Sequence, residues 1–368
     1  MSNLHGKGVV LLGPDVPLEL REFEIPPAEA GGAVVKVVVG GICGTDVHLR
    51  KGEFPLAEPI TLGHEGIGEI VDLGGGRAVD YAGVPVSVGD RVYWCPSNYC
   101  HHCYYCTVVK NFAACENQPI LSHARTGAWG SYADYAFLPS GMPFYRVPDG
   151  VPVDALIAFG CALPAVLQAF DRLGRITSLE TVVVQGSGPI GLAATLMAHL
   201  SGARRVITIG APAHRLEMAR RFGADETLLV GNQSEKDLIA RVRELTDGRG
   251  PDIIVEAAGH LSAFTQGLEM IARNGRYLLI GLWAGADKVP VDPHALVRHS
   301  VRVIGSDRAE GEHYYQALKI VERNWHRFPF TEIVTHRFSL EDAESGLRAV
   351  ARGETLKAVV VPGAHTHA

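Results

Sequence analysis

Between Val34 and Val71 short β-branched runs alternate with glycines, as "VVKVVVGG" and then "GIGEIVDLG". That pattern predicts a strand-rich, barrel-like domain whose loops carry polar groups. The spacer "GGGRAVDYAGVPVSVGD" reads as a surface loop lengthened by Gly and Pro. From about Leu163 the texture changes. Apolar runs such as "TVVVQG", "RVITIG", "DIIVEAAG" and "RYLLIGL" are separated by longer helical segments, including "IGLAATLMAHLSGA" and "HRLEMARRFGAD". Strands alternating with helices imply crossover units and a parallel sheet. After Gly305 come two helix-like stretches and a last strand, "LKAVVVP", so the tail is expected to return to the first domain.

Composition bears on size and partners. A chain of 368 residues, 47% of them hydrophobic, is long enough for two cores with a cleft between them. The formal net charge is -6, with both signs mixed along the chain, which argues against nucleic acid and anionic membrane as principal partners. The N-terminal "MSNLHGKGVVLLGPD" lacks the apolar run of a signal peptide. Other apolar runs fall well short of the roughly twenty residues that span a bilayer. A soluble, cytoplasmic protein is expected, in which thiols stay reduced and clustered cysteines hold metal.

Directly after "TVVVQ" comes "GSGPIG", comprising Gly186, Ser187, Gly188, Pro189, Ile190 and Gly191. In a strand–turn–helix context this spacing makes a nucleotide cradle. The first glycine permits the turn, the second admits a pyrophosphate, the third lets helix pack on strand, and the helix N-terminus favours the phosphate charge. About twenty residues on, where an NAD site usually places Asp or Glu on the ribose, this chain has Gly210. Nothing there repels a 2′-phosphate, and Arg215 or His214 could meet one. Both also read as solvated residues opening a helix, so NAD and NADP stay open.

Four of seven cysteines lie in "CHHCYYCTVVKNFAAC". Cys100, Cys103, Cys106 and Cys115 give a four-thiolate set, the closed tetrahedral form of structural zinc with no position left for substrate. Elsewhere Cys43 lies in "GGICGTDVH", His64 and Glu65 in "LGHEGIGE", and Cys161 in "FGCALPA". Two thiolates and an imidazole would form a three-ligand site with an open fourth position, the catalytic form. Cys95 reads as core or pocket wall.

Taken in order, "GICGTDVH", "GHEGIGEIVDLG", "VGDRV", the four-cysteine lobe, "GCALP", "GSGPIG" and "RRFGAD" resemble the zinc-dependent medium-chain alcohol dehydrogenases over nearly the whole chain. The resemblance implies an α/β fold. A GroES-like β-barrel catalytic domain would occupy residues 1–162 with a structural-zinc lobe at 95–118. A Rossmann doubly wound parallel-sheet cofactor domain would follow at 163–305, and a segment at 306–368 would return to the catalytic domain. It further implies two Zn2+ per chain, NAD or NADP, a small alcohol or carbonyl substrate, and a homodimer or homotetramer joined at the Rossmann sheet edge. By position, Cys43, His64 and Cys161 look like the catalytic-zinc ligands. Glu65 resembles the acid that approaches the metal during water exchange, and Asp46 the carboxylate orienting the histidine ligand. Thr45 resembles the hydroxyl that bonds the substrate oxygen, His48 the outer end of a proton relay, and Lys357 a basic residue beside the cofactor phosphates. Zinc lowers the pKa of the alcohol, hydride passes to nicotinamide, and the proton needs a path to water.

Three departures stand out. The lobe's last gap has eight residues where the family usually has seven, Gly210 replaces an acid, and Cys161 stands where polyol-oxidising relatives carry glutamate. The expected activity is reversible oxidation of a primary or secondary alcohol to aldehyde or ketone. A polyol or sugar-type dehydrogenase and a non-catalytic zinc-binding module holding one zinc are the alternatives. A zinc-free quinone reductase is disfavoured by both cysteine sets. Trp94, Trp283 and Phe54 are candidate apolar walls of a substrate pocket. Arg50 and Lys51 could meet an acidic substrate, though a solvated pair is the better reading.

Overall fold

The computed structural model describes residues 4–53, 59–76, 78–117, 130–231, 234–281, 284–285 and 287–363. Phe54, Trp283 and the C-terminal "HTHA" lie outside them. The chain divides into two compact units. One comprises Met1–Cys161, Glu310–Trp325 and Phe330–Ala368. The other comprises Ala162–Ala309 and His326–Pro329, so it runs past the expected end at 305 and reclaims a short later segment. No helix among the described residues is long and apolar enough to cross a membrane.

The first unit is built on a seven-stranded sheet. Its order is Val334–Phe338, Lys357–Val360, Ala33–Ile42, Glu65–Leu73, Arg91–Trp94 and Phe144–Arg146, with Tyr135–Leu138 also pairing with Ala33–Ile42. Ala33–Ile42 is central because both faces are apolar, and eight of its ten residues are buried. Its register with Lys357–Val360, Ile42 opposite Ala358, seats that strand between Ala33–Ile42 and Val334–Phe338. A three-stranded sheet of Glu19–Ile25, Leu4–Leu11 and Ile60–Thr61 completes the unit. One core cluster joins Val35, Ile70, Val92, Trp94 and Phe144. Trp94 is therefore core and not pocket wall: it is 1% exposed, and a Cβ at Gly66 would come within 1.9 Å of its ring. The spacer at 74–88 is folded around a buried carboxylate. Asp80 Oδ1 accepts from the N–H groups of Ala82 and Val84, Oδ2 accepts from that of Arg146, and Val86 is buried in the core.

The second unit holds a six-stranded, wholly parallel sheet in the order Glu226–Leu229, Arg205–Gly210, Thr181–Gln185, Ile253–Glu256, Arg276–Leu279 and Arg302–Gly305. In chain order this is 3-2-1-4-5-6, the doubly wound arrangement that leaves a ligand crevice at the carboxyl ends of the strands where the order reverses. Helices Pro189–Leu200, Ala213–Arg221, Glu235–Leu245 and Leu261–Met270 lie between successive strands. Val183, Ile207, Ile254 and Tyr277 belong to its core.

Candidate active site

Cys43 precedes helix Gly44–Arg50, and its N–H donates to Asp46 Oδ2 at 2.9 Å, fixing the first turn. His64 sits just before strand Glu65–Leu73, and Cys161 ends the turn that follows helix Val153–Ile157. These elements bring ligand atoms of Cys43, His64, Glu65 and Cys161 within 4.8 Å of one another. Cys43 Sγ and Cys161 Sγ are 3.6 Å apart. That is too far for a disulfide, yet close to the roughly 3.8 Å edge of a tetrahedron with 2.3 Å metal–sulfur bonds. His64 Nδ1 faces Asp46 Oδ1 at 3.3 Å, which leaves Nε2 as the nitrogen available to a metal. Two sulfurs, one oriented imidazole and a buried carboxylate behind it fit zinc.

The electrostatics agree. The hydrogen bond from Cys161, aided by the nearby His64, holds the Cys43 thiol well below its ordinary value despite burial. The same bond, with burial, pushes Cys161 well above its own. Burial opposes protonation of His64, but Asp46 and Cys43 carry it well above the usual imidazole value.

Glu65 joins this cluster in a way its motif did not announce. It is 1% exposed, its Oε2 pairs with Lys357 Nζ, and its Oε1 accepts the Cys161 N–H at 3.1 Å. Burial pushes the Glu65 carboxyl up, with Lys357 opposing. This corrects the expectation for Lys357. Its ammonium is 2% exposed and committed to Glu65, so it is not held out towards cofactor phosphates. Glycine makes room for the carboxylate, since a Cβ at Gly41 or Gly160 would lie 1.9 or 2.1 Å from Glu65 Oε2.

Thr45 Oγ1 lies 3.7 Å from Cys43 Sγ. His48 stands outside the cluster, partly exposed, with Nδ1 against Glu53 Oε2. Arg50 is not poised for an acidic substrate, because it pairs with Glu344 at 3.4 Å and Asp15 at 3.6 Å. Sequence reasoning missed Tyr132, a wholly buried phenol whose O–H donates to Asp46 Oδ2 at 2.8 Å.

The second cysteine set also converges: Sγ atoms of Cys100, Cys103, Cys106 and Cys115 lie within 4.8 Å of one another. The N–H groups of Cys103 and Cys100 point at the sulfurs of Cys100 and Cys115, at 3.3 and 3.4 Å. Backbone N–H donation from His102, and then from Cys103, brings the Cys100 thiol down to about 6. Four sulfurs fit a closed zinc site. The eight-residue gap does not spoil it. A π-helical turn at Tyr105–Val109 and left-handed Lys110 (φ 60°) take up the length, as one-residue insertions into helices do. Cys95 is core, 3.7 Å from Tyr99 Oη, its thiol pushed by burial to about 11.

In the second unit the "GSGPIG" turn joins Thr181–Gln185 to helix Pro189–Leu200, with Pro189 in its first turn and Ile190 following. Gly186 has φ +113°, and a Cβ at Gly191 would lie 2.0 Å from the Gly186 carbonyl, whereas one at Gly188 would meet nothing. Only Gly188 faces open space, as a glycine reserved for a phosphate should. A cavity of about 360 Å³ opens there, and its lining includes Ser187, Gly188, Gly210, Arg215 and His260, with no carboxylate among the described residues. The cradle and the cavity fit a nicotinamide dinucleotide. His214 is exposed and outside this lining.

Comparison with known proteins agrees with both halves. Residues 29–149 match the alcohol dehydrogenase GroES-like domain, and residues 189–323 match the zinc-binding dehydrogenase family. The 5-exo-hydroxycamphor dehydrogenase of Pseudomonas putida is 44% identical over 344 residues, covering 93% of this chain and 95% of that protein. The sorbitol dehydrogenase of Halalkalibacterium halodurans is 30% identical over 89% of this chain and 91% of its own length. Among solved structures, an alcohol dehydrogenase from Thermotoga maritima superposes with a TM-score of 0.90 at 31% identity, covering 98% of this chain and all of that one. A putative zinc-binding dehydrogenase from Sinorhizobium meliloti bound to NADP superposes at 0.86 with 26% identity, covering 98% of this chain and all of that one. The fold is thus a GroES-like domain with a Rossmann domain, and the chain belongs to the zinc-dependent medium-chain alcohol dehydrogenase family.

Proposed function

We propose that this protein is a zinc-dependent, nicotinamide-linked alcohol dehydrogenase that interconverts a cyclic secondary alcohol and its ketone. The observation that carries the reading is the cluster of Cys43, His64 and Cys161, whose ligand atoms lie within 4.8 Å of one another in a chain that also holds a nucleotide cradle. Zinc held by these three residues would supply Lewis acidity, lowering the pKa of an alcohol oxygen. Asp46 keeps His64 in one tautomer and orientation. Thr45 Oγ1 would accept the substrate hydroxyl proton while releasing its own, and His48, half in solvent, would be the outer end of that relay. Glu65, held by Lys357, shapes the field beside the cysteines. Gly186, Gly188 and Gly191 seat the dinucleotide, and a second zinc belongs to the four-cysteine set.

Likeness to the hydroxycamphor dehydrogenase supports a cyclic secondary alcohol. Likeness to the sorbitol dehydrogenase supports a polyol as the second reading. A cytoplasmic homodimer or homotetramer completes the proposal. The oligomer is supported by the terminal sheet strand Arg302–Gly305, where Val303 is exposed. The test follows nicotinamide absorbance with cyclic, aliphatic, aromatic and polyol alcohols and both cofactors, on protein whose zinc is counted. Turnover on cyclic alcohols, lost in Cys43→Ser with the fold intact, is expected. Silence in protein holding a single zinc per chain overturns it.

A further inference from the structure

One peptide unit beside the cysteine–histidine cluster is held at both of its polar atoms. Gly160 lies in the turn after helix Val153–Ile157 with φ +44°, a conformation glycine adopts without strain. Its carbonyl accepts the Tyr93 O–H at 2.6 Å. The N–H of the same peptide, that of Cys161, donates to Glu65 Oε1 at 3.1 Å. A peptide is a rigid plane, so bonds on its two opposite edges fix its orientation. The Cys161 side chain leaves directly from that plane. Its Sγ is thereby kept 3.6 Å from Cys43 Sγ.

Tyr93 is itself fixed. It is 1% exposed in strand Arg91–Trp94, and its ring centroid lies 5.2 Å from that of Tyr314, a buried residue of helix Gly311–Asn324. That helix is anchored in turn where its Gly311 carbonyl accepts the Tyr145 O–H at 2.7 Å. Burial pushes the Tyr93 phenol well above its ordinary value, so it stays a donor to the carbonyl. We infer that Tyr93 is a positioning residue for Cys161: with Glu65 it clamps the peptide joining Gly160 to Cys161 and so sets where this sulfur stands relative to Cys43 and His64. The inference rests on reading those three residues as a metal site. It also gives Glu65 a second task, since the carboxylate that pairs with Lys357 holds the N–H edge of the clamp.

The test is Tyr93→Phe, which keeps the ring against Tyr314 and removes only the hydroxyl. Cadmium-loaded protein is followed by cadmium NMR, in which the chemical shift depends on the number of sulfur ligands, so the two-sulfur cluster and the four-sulfur lobe give separate lines. In Tyr93→Phe the two-sulfur line is expected to shift or broaden while the four-sulfur line stays in place. Zinc retention by the cluster in a chelator competition should weaken about tenfold or more. Hydrogen exchange at the Cys161 amide should rise in parallel. Tyr314→Leu, which loosens the ring and leaves the phenol present, should move the same line and keeps the test open if Tyr93→Phe does not fold. A variant that melts earlier with both lines unmoved shows a phenol that only stabilises the fold, and it overturns the inference while the metal site stands. Wild type giving the four-sulfur line alone overturns the metal reading, and the inference with it.

Discussion

Replacing Lys357 by Met tests how the cluster is held together. Lys357 and Glu65 are 2% and 1% exposed, so their pair is sealed from water. Met keeps most of the aliphatic stem and removes the ammonium. The Glu65 carboxylate then retains only the Cys161 N–H, at 3.1 Å, as a donor given by the surrounding backbone. Removing one partner of a buried ion pair costs about 3–5 kcal/mol, because the other charge is left unpaired in a medium that solvates it poorly. Set against a total stability of about 5–15 kcal/mol for a folded domain, that is a large fraction. For a unit of this size each kcal/mol moves the melting point by about 2–4 °C, so a drop of about 10 °C is expected. The assay is differential scanning calorimetry at neutral pH on zinc-loaded protein, with metal content measured alongside so that lost zinc is not mistaken for lost pairing. The control is Lys357→Met with Glu65→Gln, which removes both charges and should recover most of the loss, since neutralising a buried pair costs far less than breaking it. A single variant that melts with wild type would refute the reasoning, as would a double variant no better than the single.

Four further outcomes follow from the same geometry. Tyr132→Phe removes the 2.8 Å bond to Asp46 and should weaken zinc retention about 10- to 100-fold in a chelator competition; unchanged retention would show that Asp46 is fixed without the phenol. Gly41→Ala places a Cβ 1.9 Å from Glu65 Oε2, so it should lower the melting point sharply in wild type but cost little in a Lys357→Met, Glu65→Ala background, where both the clash and the buried pair are gone; an equal cost in both backgrounds would place the clash elsewhere. Cys106→Ser should cut the zinc count from two to one per chain and leave Cys43-dependent zinc in place; loss of both metals would tie the lobe to the first cluster. Burial would raise the Glu180 carboxyl, but the Thr177 N–H and Arg276, each at 2.7 Å, hold it below its ordinary value. Its stabilisation is therefore complete above the unfolded value of about 4.3 and is lost as pH falls through the lower folded value. The gap in urea midpoint between wild type and Glu180→Gln should accordingly narrow below about pH 4, and a constant gap would rule this out.

What was legible in the sequence is what chain neighbours decide. "GSGPIG" after a buried strand specifies its own turn, because Gly186 has φ +113° and a Cβ at Gly191 would lie 2.0 Å from the Gly186 carbonyl. Cysteines two residues apart likewise share one turn, whatever the rest of the chain does. The parallel sheet was legible for a similar reason, since each strand and helix repeats the same local alternation. What was hidden is the set of partners fixed by register between distant strands. Lys357 and Glu65 are 292 positions apart, and Tyr132 and Asp46 are 86 apart. Nothing near either member names the other, so family position alone points Lys357 towards phosphates, whereas its ammonium is committed to Glu65. Yet a physical clue stood in "LKAVVVP". A lysine opening a strand whose four residues are all buried cannot be solvated, and a buried ammonium needs an acid. The acid that answers it must also be buried and approached closely by backbone, which glycine permits. Glu65, facing Gly41 across the sheet and pressed by Gly160, meets both conditions. Pairing buried charges with the acids that glycines crowd thus places Lys357 at the cluster once Gly41 and Glu65 are aligned across the sheet.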